Sequence, residues 1–318
     1  MTTPAPASPP PPFGRALCAM VTPFTRDGLL DLDGAQRLAV RLVDGGCDGL
    51  VLSGTTGESP TTSDAEKADL VRAVGEAVGG RATVIAGIGT PDTRHSAELA
   101  RQAEKAGADG LLAVTPYYSR PPQDAVEDHF RELADATALP LMLYDIPGRT
   151  ATRIEPDTMI RLARHPRILA VKDCAYDLLG TQRVLAETEL AYYTGCDEYV
   201  LALYAVGGAG YVSTVSNVTP RQFRSVIDAF DAGDTAGARR LMRRTIRLTE
   251  LMMNSGLPGT VTAKALLNAL DLPGGPVRAP LRPAGRGTSE ALLAAYEELT
   301  AEDVQFARYQ SAEYQSAQ

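Results

Sequence analysis

Short apolar runs rich in branched side chains recur from Ala16 to about Asp231, and each is followed by a stretch of helical periodicity. The runs fall at 17–21, 49–53, Thr83–Gly87, Gly110–Val114, Leu141–Asp145, 168–172, Ala191–Thr194 and Gly210–Ser213. Most are continuously apolar rather than alternating, the pattern of strands covered on both faces. The helical stretches start near Asp33, Ser63, Asp92, Gln123, Glu155, Asp177, Asp197 and Thr219. Ser63-Asp-Ala-Glu66 is a capping box, and Asp33 with Gln36 resembles one. Eight strand–helix units predict an α/β chain whose parallel sheet closes into a (β/α)8 TIM barrel. No GxGxxG follows the first strand, which weighs against a dinucleotide fold.

After about Ala232 the alternation stops. Helical patterns at 237–254 and 260–270 flank the breaker Ser255-Gly-Leu-Pro-Gly259, and a last amphipathic helix at 289–299 follows a Pro/Gly-rich loop. The expected organisation is a disordered Pro-rich tail at 1–13 and a catalytic barrel at 14–232. A small C-terminal helical domain follows at 233–300, then a polar segment at 301–318 that either frays or prolongs the last helix.

Against this apolar background one charge is out of place. Ile168-Leu-Ala-Val171 runs directly into Lys172. Many lysines at strand ends snorkel to water. Burial instead disfavours the ammonium, and a partly deprotonated lysine is a nucleophile towards a keto group, forming a Schiff base. The carboxyl ends of barrel strands are where active sites lie, so the residues that follow each strand decide between these readings. Strand two is followed by Gly54-Thr-Thr-Gly-Glu-Ser59, whose hydroxyls and backbone amides suit a carboxylate or phosphate. Strand four leads to Thr115-Pro-Tyr-Tyr118 and strand five to Tyr144-Asp-Ile-Pro-Gly-Arg-Thr150. Strand seven leads to Gly195, and strand eight contains Val212. Hydroxyls, a guanidinium and an amine thus converge on one rim.

Composition narrows the partners. The 318 residues carry a net charge of −8 with no basic cluster, which argues against nucleic acid. The four cysteines and three histidines lack metal-ligand spacing, so no metal is expected and the thiols read as reduced, in a cytoplasm. No apolar run approaches the roughly 18 residues of a membrane span. The start of the chain lacks the basic and apolar regions of a signal peptide.

With GTTGES at 54–59, TPYY at 115–118, YDIPGRT at 144–150 and the lysine at 172, the chain resembles the dihydrodipicolinate synthase family. This family lies within the N-acetylneuraminate lyase superfamily of pyruvate-dependent class I aldolases, and the resemblance runs from about Gly14 to Leu299. It implies a lyase that condenses pyruvate with L-aspartate 4-semialdehyde to 4-hydroxy-tetrahydrodipicolinate in lysine (diaminopimelate) biosynthesis. By the same resemblance Lys172 carries the Schiff base and Tyr144 is the general acid/base. Thr55 and Tyr118 join a hydroxyl relay, with Tyr118 reaching into a neighbouring subunit of a homodimer or homotetramer. Thr56 holds the pyruvate carboxylate, Arg149 that of the aldehyde, and Gly195 and Val212 complete the substrate site. The substrates are small molecules, and no cofactor beyond the covalent imine is implied. Gly195-Cys-Asp-Glu198 departs from the family's Gly-Asp-Asp and looks like the sugar-acid lyases, which keeps a paralogous aldolase acting on another 2-keto acid open. Asp64, Lys67, Pro91 and His95 depart from the pattern of the family's lysine-inhibited members, against feedback by lysine. A keto-acid sensor without catalysis would be expected to lose Lys172 or Tyr144, and both are present.

Overall fold

The computed structural model describes residues 11–316. Its strands are β1 (Ala16–Ala19), β2 (Gly49–Leu52), β3 (Thr83–Gly87), β4 (Gly110–Val114), β5 (Leu141–Asp145), β6 (Ile168–Asp173), β7 (Ala191–Thr194) and β8 (Gly210–Ser213). All are parallel, each pairs with its chain neighbours, and β1 pairs with β8 to close the barrel. Five of the eight match their expected bounds; β2 and β6 differ by one residue at an end, and β1 starts one residue and ends two residues earlier. Alternate side chains divide the core in two. Leu17, Val51, Ile85, Leu112, Met142 and Val212 fill the barrel interior. Their strand neighbours, such as Cys18, Leu50 and Leu143, pack outward under the helices.

The floor of the barrel is closed by Phe13, which is fully buried. A Cβ at Gly110 would lie 2.4 Å from its ring, so only glycine admits it there. Phe13 therefore corrects the expected tail by one residue at least: burying a phenyl ring ties the chain down before β1. The remainder of that stretch, up to Pro10, lies outside the described residues.

The helices are α1 (Leu32–Asp44), α2 (Asp64–Val78), α3 (Thr93–Lys105), α4 (Gln123–Asp135), α5 (Pro147–Thr150), α6 (Pro156–Leu162), α7 (Leu178–Glu187), α8 (Val200–Ala205) and α9 (Pro220–Asp231), followed by α10 (Thr235–Met253), α11 (Gly259–Ala269) and α12 (Arg286–Ser316). Ser63 and Glu66 form the expected capping box. The box read at Asp33 and Gln36 does not form; Asp31 caps α1 instead, accepting from the Gly34 amide at 2.8 Å. The same Asp-x-x-Gly cap recurs at Asp177 and Asp234. In each case the glycine leaves the space its Cβ would take from the carboxylate, within 2.3 Å of it. The helix expected from Asp197 is broken into a 3₁₀ turn, Asp197–Tyr199, and the short α8. The polar segment after Thr300 continues α12, the second of the two outcomes left open for it.

Candidate active site

Residue parity brings the lysine inward. On β5, Met142 and Tyr144 face the interior while Leu143 faces the helices. On β6, Ala170 faces in and Val171 out, which leaves Lys172 inside and Asp173 outside. The strands pair Tyr144 with Lys172, and the ammonium lies 4.2 Å from the centre of the phenol ring. Both are nearly enclosed, at 5% and 4% exposure. Burial lowers the lysine pKa, and the Arg149 charge adds to this, while Cys174, Asp197 and Cys196 act the other way. Burial likewise holds the Tyr144 proton well above its ordinary pKa, only partly offset by a hydrogen bond with the Thr55 side chain. Gly195 makes room for the lysine: a Cβ there would sit 2.7 Å from Lys172 Cε and 2.4 Å from Cys174 Sγ.

The loop after β2 supplies the opposite wall. The amides of Gly57, Glu58 and Ser59 bond to carbonyls of Gly54 and Thr55, so the loop is a tight turn rather than an open nest. Its threonines divide their work. Thr55 meets Tyr144, and Thr56 shares a 3.0 Å hydrogen bond with Thr214 beyond β8. From α11 the Thr260 hydroxyl donates to the Thr55 carbonyl at 3.3 Å, so the C-terminal helices form part of the site.

Glu58, at a left-handed φ of 57°, anchors this loop from below. Its carboxylate pairs with the buried Lys264 of α11 at 2.5 Å and accepts from the Arg278 amide at 2.8 Å. Lys264 also donates to the Pro276 carbonyl at 2.8 Å and stands 4.1 Å over the Phe24 ring. Burial lowers the Lys264 pKa to about 8 despite Glu58. Removing one partner of such a pair strands the other charge. Lys264→Met is expected to destabilise the protein by about 3–5 kcal/mol, and adding Glu58→Gln to recover much of the loss. Denaturant midpoints of the two variants check this, and equal stability of the single and double variants would contradict it.

A cavity of about 240 Å³ joins these groups. Lys172, Tyr144, Thr55, Thr56, Arg149 and Gly195 all line it, six of the eight residues picked out from the sequence. Val212 does not: it is fully buried one layer down the barrel, and Thr214 takes its place at the cavity. Tyr118 is 94% exposed at a φ of 74° and lines a second, outer cavity of about 840 Å³ that shares Tyr144, Thr55 and Arg149. Also lining that outer cavity, His95 pairs with Asp64 at 2.9 Å and Lys67 donates to the Thr62 carbonyl at 2.6 Å.

Sequence reasoning missed Cys174, Thr260 and the Thr214 contact. Only Cys174, two residues past the lysine, carried any signal, since the other two come from elements that local patterns cannot dock. The structure also separates Asp197 from Glu198. Asp197 is buried, accepts from the Ser213 hydroxyl and the Val215 amide, and burial raises its pKa to about 6. Glu198 lines the cavity and accepts from the Tyr176 hydroxyl at 2.8 Å.

An amine buried beside a phenol at the carboxyl ends of a (β/α)8 barrel has the constitution of a class I aldolase site. Within that class, the chain belongs to the dihydrodipicolinate synthetase family, whose model matches residues 12–299. It is 75% identical to 4-hydroxy-tetrahydrodipicolinate synthase 1 of Streptomyces coelicolor over 291 residues, covering 92% of this chain and 95% of that one. It is 59% identical to the 4-hydroxy-tetrahydrodipicolinate synthase of Acidothermus cellulolyticus, covering 86% and 88%. Among solved structures it is similar to the lysine-bound enzyme of this family from Cyanidioschyzon merolae. That likeness has a TM-score of 0.88 at 37% identity and covers 91% of this chain and 99% of that one.

Proposed function

We propose that the protein is a lyase that condenses pyruvate with L-aspartate 4-semialdehyde to 4-hydroxy-tetrahydrodipicolinate. The observation that carries the reading is Arg149 in one cavity with the buried Lys172, in a chain so close to proteins named for that reaction. The Lys172 amine adds to the pyruvate ketone and expels water, leaving an imine. Loss of a methyl proton gives an enamine, which bonds to the aldehyde carbon. The amino group of the aldehyde partner then attacks the imine carbon, closing the ring and releasing the lysine. Tyr144 and Thr55 pass protons, and Thr56 holds the pyruvate carboxylate. The protonated imine formed on Lys172 is the electron sink, so the reaction calls for no cofactor. Lysine biosynthesis in the cytoplasm is the matching setting, in keeping with four free thiols and no described helix long and apolar enough to cross a membrane.

Arg149 has no ion-pair partner among the described residues and is free to take a carboxylate as a planar fork. Arg149→Ala is expected to lower kcat/KM for aspartate 4-semialdehyde by about ten- to a hundredfold, the worth of one charge-assisted contact. Borohydride trapping of pyruvate should survive in that variant. The decisive assay is the purified protein with pyruvate against aspartate 4-semialdehyde and polyhydroxylated aldehydes. Exclusive use of the latter would replace this reading with a sugar-acid aldolase.

Tyr118, held exposed at a left-handed φ, supports a second copy of the chain that receives it. The protein is expected to sediment as a homodimer or homotetramer. A fully active monomer would contradict a shared site.

A further inference from the structure

We propose that Glu198, held in place by Tyr176, binds the α-ammonium group of the aldehyde substrate and so selects amino-acid aldehydes over aldehydes that carry a carboxylate alone. This rests on the synthase reading above and adds a recognition contact to it.

The argument begins with the substrate. Aspartate 4-semialdehyde is a zwitterion, and its nitrogen becomes the ring nitrogen of the product. A site that holds only the carboxylate leaves the chain free to turn about that contact. The amine must face the imine carbon to close the ring, so a second contact of opposite sign fixes the geometry. The cavity around Lys172 offers one exposed cation, Arg149, and one carboxylate, Glu198. Asp197 is unsuited to the task, because Ser213 and Val215 hold it in the protein interior.

Glu198 is also oriented at a cost. Tyr176 is 59% exposed yet held at a φ of 57°, a region where a tyrosine backbone is strained. Its side chain is held there by three neighbours: its hydroxyl donates to Glu198 Oε1 at 2.8 Å, the Cys196 side chain stands in hydrogen-bond reach, and its ring is edge-on to Tyr199 with centroids 5.2 Å apart. An exposed phenol retained in a strained conformation and bonded to a cavity carboxylate points to that carboxylate having a required position. The donation from Tyr176 uses one oxygen of Glu198, and the other is left for an N–H⁺ donor. Cys196 and Cys174, which flank the carboxylate and the lysine, offer no competing charge-assisted donor.

The test compares aspartate 4-semialdehyde with succinate semialdehyde, the same aldehyde with hydrogen in place of the ammonium. Glu198→Gln keeps the size of the side chain and its hydrogen bond to Tyr176 while removing the charge. It is expected to lower kcat/KM for aspartate 4-semialdehyde by about ten- to a hundredfold. The inhibition constant of succinate semialdehyde should change less than about threefold, well inside one tenfold step of affinity. Equal losses for the two compounds would overturn the proposal. Should Glu198→Gln fail to fold by its thermal transition, Tyr176→Phe is read in its place. Its expected result is a smaller loss confined to the amino aldehyde, and an equal loss for both compounds again counts against the proposal. A wild-type protein that does not turn over aspartate 4-semialdehyde overturns the synthase reading and this inference together. An active wild type with an unselective Glu198→Gln overturns this inference alone.

Discussion

Lys172→Arg is expected to abolish both turnover and the mass increment left by borohydride reduction in the presence of pyruvate. Arginine keeps the positive charge and much of the length, but its guanidinium does not form the imine. The wild-type lysine is enclosed by the barrel, and burial lowers its pKa, so a larger fraction is the nucleophilic amine at neutral pH than for a free lysine. Imine formation should therefore rise with pH as the ammonium loses its proton. It should level off below the ordinary lysine pKa of about 10.4. Stopped-flow trapping across pH measures this. A plateau at or above that value, or continued trapping in Lys172→Arg at another lysine, would remove Lys172 from its role.

Tyr144→Phe is expected to reduce kcat by about 10²–10⁴, the usual cost of losing a positioned proton donor. Burial and the neighbouring Cys174 keep the phenol protonated, so it acts first as an acid towards the oxygen that leaves as water. The phenol must regain its proton to turn over, and the Thr55 hydroxyl is in hydrogen-bond reach to pass it, beside the Cys174 thiol. The substitution removes one oxygen from a packed ring, so the fold and the lysine beneath it should persist. Steady-state rates for Tyr144→Phe beside Thr55→Val test the pair. Near wild-type turnover in the first variant would end the relay.

The residues carrying these two predictions were legible early for a simple reason. A parallel barrel buries both faces of each strand, so its strands stand out as apolar runs, and a lysine or tyrosine at the end of one is conspicuous. Arg149 was legible through YDIPGRT, though that turn folds as a short helix, Pro147–Thr150. Val212 lies just below the cavity, which the sequence could not show for an equally simple reason. A strand's rim and its middle look alike in sequence, and the cavity begins two residues later, at Thr214.

Other features depend on contacts that no local pattern encodes. The register of β5 and β6 shifts after Leu141: Leu141 pairs with Ile168, but Met142 pairs with Ala170. Leu169 is the extra residue, 38% exposed. Without this bulge Tyr144 would face Val171, and Lys172 would point outward among the helices, because a one-residue slip reverses every side chain on the strand. Lys264 read as an ordinary helix residue, yet over 200 residues from Glu58 it neutralises the buried carboxylate beneath the threonine loop. Glu198 was noticed within a departure from the family pattern, but its contact with Tyr176 across the ends of β6 and β7 was not. Hydrophobic periodicity and strand-end chemistry act over a few residues, so the chain alone specifies the barrel, its lysine and its phenol. Register, ion pairing and the orientation of Glu198 arise only when the closed barrel brings distant strands and α11 together.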